Sequence, residues 1–289
     1  MKKFNILSLM LILSLTTINV SAVANNQDLF NTYNTSKQSL MIGDSATIGD
    51  SGNNSSILNV LHNKNQIIKS SKEDFLYKPD GVLYKGIDVS SYQKDIDWNL
   101  VKEQGVEFVI LRAGYVSYAD EKYHVDKYFE QNYQKCKELG IPVGCYWFTR
   151  ARNTTQAENE ADFFLNLIKD KQFEYPVCFD IESESLTNLS SSTLTNITIA
   201  FCEKIENSGY YVSLYCNPNW IDYILIKDHL TEYDKWLAHW TSTPKYDNNF
   251  GGLWQYGLGT CLGIEGDCDV NYSYRDYPKI IKKAGLNGF

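Results

Sequence analysis

The chain has 289 residues, 43% hydrophobic and 14% aromatic, with 27 Lys and Arg against 35 Asp and Glu for a formal net charge of −8. That length supports one large core or two smaller ones, and the acidic balance argues against nucleic acid as a partner, since nucleic acid asks for a basic face. The 21 Tyr, 6 Trp and 13 Phe supply many rigid amphipathic surfaces suited to stacking on sugar rings, although core packing accounts for most of the Phe.

The N-terminus carries Lys2 and Lys3, an apolar run from Ile6 to about Val20, and Ala22-Val-Ala24 before Asn25. This is the layout of a secretory signal peptide, and the run is shorter than the 18 to 20 apolar residues of a spanning helix. The expectation is a secreted chain, extracellular or associated with the cell wall, with no stable membrane association after cleavage at residue 24. Removing residues 1–24 takes away two Lys and no acid, so the mature chain is more acidic still. Residues 25–82 are rich in Asn, Ser, Asp and Lys without sustained periodicity, as in Gly49–Ser56, and read as a flexible, disordered spacer or pro-segment. Within it the patch Ile57–Leu61 is apolar enough for a short helix.

From Tyr84 short apolar runs alternate with helical patterns, so residues 83–289 are expected to form one α/β domain with a parallel sheet. Seven strand candidates start at Gly86, Phe108, Pro142, Tyr175, Tyr211, Trp236 and Leu253. The helices between them carry boundary signals: Asp97 as N-cap with Gly105 as terminator, an end at Gly140, a capping box from Thr155 to Glu158, and Gly209 as a stop. Seven strands in this span fit a β/α (TIM-like) barrel better than an open sheet, and in such barrels the chemistry sits at the C-terminal strand ends. The polar residues Asp88, Arg112, Tyr146, Asp180 with Glu182, Tyr215 with Asn217, Trp240 and Gln255 all fall late in their runs.

The stretch Tyr175–Glu182 is the most informative. In a strand, residues i and i+2 share a face, so Asp180 and Glu182 project together while Phe179 and Ile181 enter the opposite layer. Two carboxylates that close raise one pKa, which keeps a proton ready for donation near neutral pH. That is the outline of a glycosidase. Asp95 and Asp97 form a second D-x-D pattern, for which helix capping is the better reading.

The 7 Cys and 4 His add little. Cys261 and Cys268 would close a short loop and are a candidate disulfide, whereas Cys145, Cys178 and Cys216 sit in apolar runs as buried thiols. His62, His124, His229 and His239 show no ligand spacing, so no metal or other cofactor is expected. A cysteine peptidase lacks any Cys/His signature.

From about Tyr84 onward the chain resembles the bacterial and phage muramidases of glycoside hydrolase family 25. The resemblance rests on Gly86-Ile-Asp-Val-Ser-Ser-Tyr-Gln93 with Ile96-Asp-Trp98, on Ile110-Leu-Arg-Ala-Gly-Tyr115, Gly144-Cys-Tyr-Trp-Phe148 and Phe179-Asp-Ile-Glu182. It continues through Trp236-Leu-Ala-His-Trp240, Leu253-Trp-Gln-Tyr256 and Gly266-Asp-Cys-Asp-Val-Asn271. It implies an irregular, flattened β/α barrel acting on peptidoglycan glycan strands at the β-1,4 bond between N-acetylmuramic acid and N-acetylglucosamine. The family's four active-site acids fall on Asp88, Asp180, Glu182 and Asp269; Asp269 is preferred to Asp267 because the family pattern is Asp, an aliphatic residue and Asn. Trp147 departs from the His that many members carry there, which is expected to bear on subsite shape.

Glu182 is then the expected general acid, its proton held by Asp180 and Asp88, with Asp180 ionised to stabilise the oxocarbenium-like charge or to orient the 2-acetamido group. Asp88 and Asp269 would hold the proton network and the sugar. Substrate contacts are expected from Arg112, Tyr115, Tyr146, Tyr215, Asn217, Trp240 and Gln255, with pairing to an acid an equal expectation for Arg112. The Cα atoms of an i, i+2 pair are about 6.6 Å apart, compatible with both the roughly 5 Å of retaining and the roughly 6.5 to 9.5 Å of inverting carboxyl pairs. Alternatives are a chitinase-like or glucosaminidase-like glycosidase and a glycan-binding barrel without catalysis.

Overall fold

The structure is a computed structural model and describes residues 78–247 and 249–289. The expected signal peptide, most of the expected spacer and the helix expected at Ile57–Leu61 lie outside the described residues. In chain order the elements are β1 (Tyr84–Val89), α1 (Trp98–Gln104), β2 (Phe108–Val116), β3 (Tyr123–Val125), α2 (Phe129–Leu139), β4 (Val143–Phe148) and α3 (Thr154–Ile168). They continue as β5 (Val177–Asp180), α4 (Ser191–Asn207), β6 (Val212–Cys216), β7 (Asp234–Ala238), β8 (Leu253–Thr260), β9 (Asp267–Ser273) and α5 (Tyr277–Ala284).

Eight of the strands close a ring in the order β1-β9-β8-β7-β6-β5-β4-β2, sealed by the parallel pairing of β1 with β2. The expected barrel is present, and each of the seven expected strands occupies its run. Two strands were not expected. β3 pairs antiparallel with the end of β2. β9 runs antiparallel to both β8 and β1 and completes the closure, so the sheet is mixed rather than wholly parallel. β9 eludes sequence reading because its inward positions are the polar Asp269 and Asn271 while Val270 faces out, the reverse of an ordinary hydrophobic alternation. The barrel is irregular, with helices following β1, β3, β4 and β5 and, among the described residues, none separating β7, β8 and β9.

The strands alternate as a barrel wall must. Outward residues such as Ile87, Val89, Val109, Leu111, Phe179 and Ile181 form one core with the helices. Phe179 stacks on Phe201 of α4 at 4.2 Å between ring centroids, and full burial of a side chain of this size is worth about 1.5–3 kcal/mol. Inside the barrel, Phe108, Ile110, Tyr175, Cys178 and Trp236 form a second cluster with Tyr277 and Ile281 of α5, and its Trp236 reaches the groove. Gly86 on β1 has no room for a side chain: a Cβ there would lie 2.5 Å from the Phe108 carbonyl oxygen and 2.6 Å from its ring.

Local signals explain most boundaries. Asp97 caps α1 and Gly105 ends it at φ 101°, Gly140 ends α2 at φ 68°, and Gly209 follows α4. The start of α3 is corrected: Asn153, not Thr155, is the N-cap, its side chain accepting from the Gln156 amide at 2.9 Å, while the Gln156 side chain accepts from the Arg152 amide. Asx oxygens compete well for exposed first-turn amides, and Asn153 stands two residues earlier. The Asp95 carboxylate takes the Gln131 amide at 2.6 Å, so neither acid of that D-x-D pair reaches the groove. Among the described residues no helix is long and apolar enough to cross a membrane.

All seven cysteines are buried free thiols. Cys261 and Cys268, the candidate disulfide, are neighbouring thiols in side-chain hydrogen-bond contact. Each also donates to a backbone carbonyl, Cys261 to Leu262 at 3.7 Å and Cys268 to Gly259 at 3.6 Å.

Candidate active site

A groove of about 1340 Å³ opens at the C-terminal ends of the parallel strands. It is lined by all four expected acids and by every expected substrate contact, Arg112, Tyr115, Tyr146, Tyr215, Asn217, Trp240 and Gln255 among them. Trp147 does not line it. That residue points the other way from β4, is fully buried, and donates its indole N–H to Glu160 of α3 at 2.8 Å, so the expectation that it shapes a subsite is corrected: strand alternation puts it on the helix side.

Backbone pairing brings the acids together. Asp88 near the end of β1 lies directly opposite Asp269 of β9. Asp180 ends β5 beside Tyr215 of β6 and Phe148 of β4. Glu182 lies two residues beyond; the intervening Ile181 amide still bonds to the Tyr215 carbonyl, so the alternation persists past the strand and Glu182 faces the groove with Asp180. Asp267 is exposed and does not line the groove, which leaves Asp269 as the acid of β9 at the site.

Burial differs sharply among the four. Asp88 and Asp180 are buried, whereas Glu182 and Asp269 are half-buried and accessible. Asp88 Oδ2 accepts from the Gln255 amide at 3.0 Å and the Asn271 amide at 2.7 Å, while Asp180 Oδ1 has no hydrogen-bond partner. Burial, then the charge of Asp269, pushes Asp88 up to about 8 against the pull of those two amides. Burial pushes Asp269 up to about 6. Asp180 is raised by burial and by the charges of Glu182 and Asp88, with Arg112 opposing. Glu182 is raised by burial and then by Asp269. Asp180 and Glu182 do repel each other, as expected, and closure by β9 adds the charge of Asp269 beside Glu182. Asp180, expected to be ionised, is driven toward its protonated form by burial and then by the charges of Glu182 and Asp88.

The second tier is a hydrogen-bonded frame. Gln255 Oε1 accepts from Tyr215 at 3.1 Å and from the Trp240 indole at 3.0 Å, and Asn271 Oδ1 accepts from the Trp236 indole at 2.7 Å. Tyr215 is 8% exposed and packs edge-on against Trp236 at 4.5 Å, as Tyr146 does at 5.9 Å; both serve more as walls than as open platforms. Trp240, 55% exposed, presents its ring. Asn217 caps the turn that follows it by accepting from the Trp220 amide. Arg112 forms a 2.8 Å ion pair with buried Asp126 and donates to Ser91, so the pairing expectation holds for it. The Tyr115 ring lies under this guanidinium at 4.9 Å and stacks on His124.

Sequence reasoning missed Asn271 as a site residue, the exposed rim rings Tyr92 and Tyr118, and Arg150. Tyr92 lay within a quoted motif, whereas Tyr118 and Arg150 stand in loops whose apposition only the fold decides. Among the described residues no group of three or more His, Cys, Asp or Glu is arranged to hold a metal ion.

A family model described as "Glycosyl hydrolases family 25" matches residues 87–260. The chain is 29% identical over 195 residues to the autolytic lysozyme of Clostridium acetobutylicum, the match covering 65% of this chain and 55% of that protein. Among solved structures it is similar to a family 25 glycosyl hydrolase from Bacillus anthracis, with TM-score 0.60, 25% identity, and 71% of this chain and 95% of that one covered. It is also similar to the modular autolysin LytC of Streptococcus pneumoniae in complex with a synthetic peptidoglycan ligand, with TM-score 0.58, 27% identity, and coverage of 65% and 46%. This chain thus spans about half the length of the first and last of these proteins.

Proposed function

The chain belongs to glycosyl hydrolases family 25, and from that premise we propose that it hydrolyses the β-1,4 bond between N-acetylmuramic acid and N-acetylglucosamine in peptidoglycan. The observation that carries this reading is the graded set of four carboxylates in one groove, two buried and two accessible. Such an arrangement retains protons near neutral pH while leaving one donor within reach of a ligand. Lysozymes and a peptidoglycan-bound autolysin among the similar proteins support the same substrate.

In this reading Glu182 protonates the leaving glycosidic oxygen, because it is the accessible member of the D-x-E pair and its raised pKa keeps the proton to be given. Asp180 lines the groove beneath it, where its carboxylate can accept from the N–H of a 2-acetamido group, orienting the acetamido carbonyl toward the anomeric carbon. Accepting that bond favours ionised Asp180, so substrate binding itself would draw out the charge that the oxocarbenium-like transition state needs. Asp88 is fixed by Gln255 and Asn271 and exchanges protons with Asp269 across the β1–β9 pair. The exposed Trp240 ring offers a stacking platform for a sugar.

The organisation proposed for the chain is a signal peptide over 1–24, a spacer over 25–82 and the catalytic barrel over 83–289, with action outside the cell on the wall. Mass spectrometry of fragments released from purified peptidoglycan tests the reaction, with Glu182→Gln alongside. Reducing muramic acid ends, absent with the variant, are expected. Reducing glucosamine ends would replace the muramidase reading by a glucosaminidase, and no release would overturn hydrolysis of this polymer.

A further inference from the structure

Among the described residues, two arginines border the groove lining and differ in one respect. Arg112 is neutralised by Asp126. Arg150, just past β4, is held entirely by neutral groups: its Nε donates to the Val116 carbonyl at 3.1 Å, and one terminal nitrogen donates to Ser183 Oγ at 2.6 Å and Ser185 Oγ at 3.0 Å. Its guanidinium also lies against two rings, Phe148 at 5.2 Å and Tyr118 at 5.3 Å. From behind, buried Glu160 takes the Arg150 backbone amide as well as the Trp147 indole. The side chain is therefore fixed on every side, yet no carboxylate among the described residues pairs with it, and it lines the groove.

A guanidinium so constrained has already lost its rotamer freedom, and its remaining terminal N–H groups are free for a ligand. Its charge is uncancelled in a groove otherwise dominated by acids. Carboxylates are what such a planar donor recognises best. The fixing partners also locate it: Ser183 follows Glu182 directly, so a group bound by Arg150 belongs to a sugar beside the bond being cleaved.

We propose that Arg150, with the Tyr118 ring as its outer wall, is a specificity-determining subsite for a carboxylate carried by the glycan strand. The proposal rests on the peptidoglycan reading above and deepens it. Two carboxylates have the required chemistry, the lactyl carboxylate of a muramic acid without its peptide and the carboxylates of an attached peptide stem. Both are absent from a plain N-acetylglucosamine polymer. Arg150 is in this sense a device for distinguishing wall glycan from uncharged glycan by charge rather than by ring shape.

The test compares wild type, Arg150→Gln and Arg150→Lys on three forms of purified peptidoglycan: intact, stripped of stems by an amidase, and with all carboxylates capped as methylamides. Gln keeps a donor for Ser183 and Ser185 while removing the charge; thermal melts check that both variants fold. On intact glycan Arg150→Gln is expected to raise KM about tenfold, the effect of losing one charge-assisted bond, with kcat preserved and Arg150→Lys intermediate. On capped glycan wild type and Arg150→Gln should have equal KM. A difference on intact glycan assigns the peptide stem, since the lactyl carboxyl is there an amide to that stem, whereas a difference that appears only on stripped glycan assigns the lactyl carboxylate. A loss confined to kcat, equal on intact and capped glycan, overturns the subsite and leaves Arg150 as a prop for the Glu182 loop. Failure of wild type to release reducing muramic acid ends would instead overturn the muramidase reading.

Discussion

The exposed indole of Trp240 and the buried carboxylate of Asp88 are joined by a single side chain. Gln255 accepts from the Trp240 N–H at 3.0 Å through Oε1 and donates to Asp88 Oδ2 at 3.0 Å through Nε2. A sugar that shifts the Trp240 ring therefore pulls on a bond to an acid at the groove floor. Gln255→Leu removes a donor that holds Asp88 down, so Asp88 should keep its proton to higher pH. We expect kcat/KM to fall about tenfold for a lost bond to a charged group, with the pH–rate profile displaced upward. An equal fall at every pH would mean that Gln255 only packs.

Glu182→Gln should lower kcat by about 10²–10⁴-fold, the usual worth of a positioned general acid, without loss of thermal stability. Gln fills the same volume and removes one charge from beside Asp269 and Asp180. Wild-type activity should decline as pH rises through the raised Glu182 value, which lies above the ordinary 4.5. Turnover within about tenfold of wild type would reassign the donor, since it would leave less than the usual contribution of such a group.

The acid cluster gives stability a pH dependence of definite sign. Asp88 near 8 and Asp269 near 6 stand above the ordinary 3.8, so the folded chain binds more protons than the unfolded chain between these limits. Stability is full below about pH 4 as far as these groups are concerned, and is lost as pH rises toward 8. Asp88→Asn should flatten this decline. At about 2–4 °C per kcal/mol for a domain of this size, the variant should melt several degrees above wild type at pH 8 and close to it at pH 4. Parallel melting curves across that range would show that Asp88 does not carry the linkage.

Asn287 ties the C-terminal segment to the end of the barrel opposite the groove. It is fully buried at φ 56°, donates to the Phe173 and Tyr175 carbonyls at 3.1 and 3.0 Å, and accepts from the Tyr211 amide at 2.7 Å. Asn287→Ala leaves three buried backbone groups unpaired and strains the backbone, and should cost about 2–4 kcal/mol in denaturant unfolding. Asn287→Gly should be milder by about 1 kcal/mol because it keeps the left-handed conformation. Kinetics of the folded variants should match wild type; a change in KM would reveal an unexpected link to the groove.

The seven buried thiols should be silent to a bulky thiol reagent in the native state and should all react in denaturant. Two fewer reacting groups, with an intact mass lower by two hydrogens, would show that the Cys261 and Cys268 thiols have joined as a disulfide. Peptide mapping of that pair decides the matter.

Much of the fold was legible because its signals are local. Seven apolar runs became seven strands, and Asp97, Gly105, Gly140 and Gly209 bounded helices as their chemistry requires. The miss at α3 came from two candidate caps two residues apart, Asn153 and Thr155, of which the earlier takes the Gln156 amide and starts the helix sooner. The miss at β9 is more instructive: a strand that turns polar side chains into a barrel and closes it antiparallel to both neighbours has no hydrophobic run by which to be read. Trp147 was misplaced for a related reason, since one step along a strand exchanges groove for helix layer.

The sequence by itself determined that Asp180 and Glu182 share a face, because the two-residue period of an extended chain is a covalent property. It likewise determined that polar side chains gather at the strand ends and that the chain carries the motif order of its family. Only the tertiary structure decided that Asp269 adds its charge beside Glu182, that Asp126 neutralises Arg112 while no carboxylate among the described residues pairs with the Arg150 guanidinium, and that Gln255 joins Trp240 to Asp88. Those relationships join residues far apart in the chain, and protonation depends on burial and on neighbours brought close, quantities that exist only once the barrel has closed.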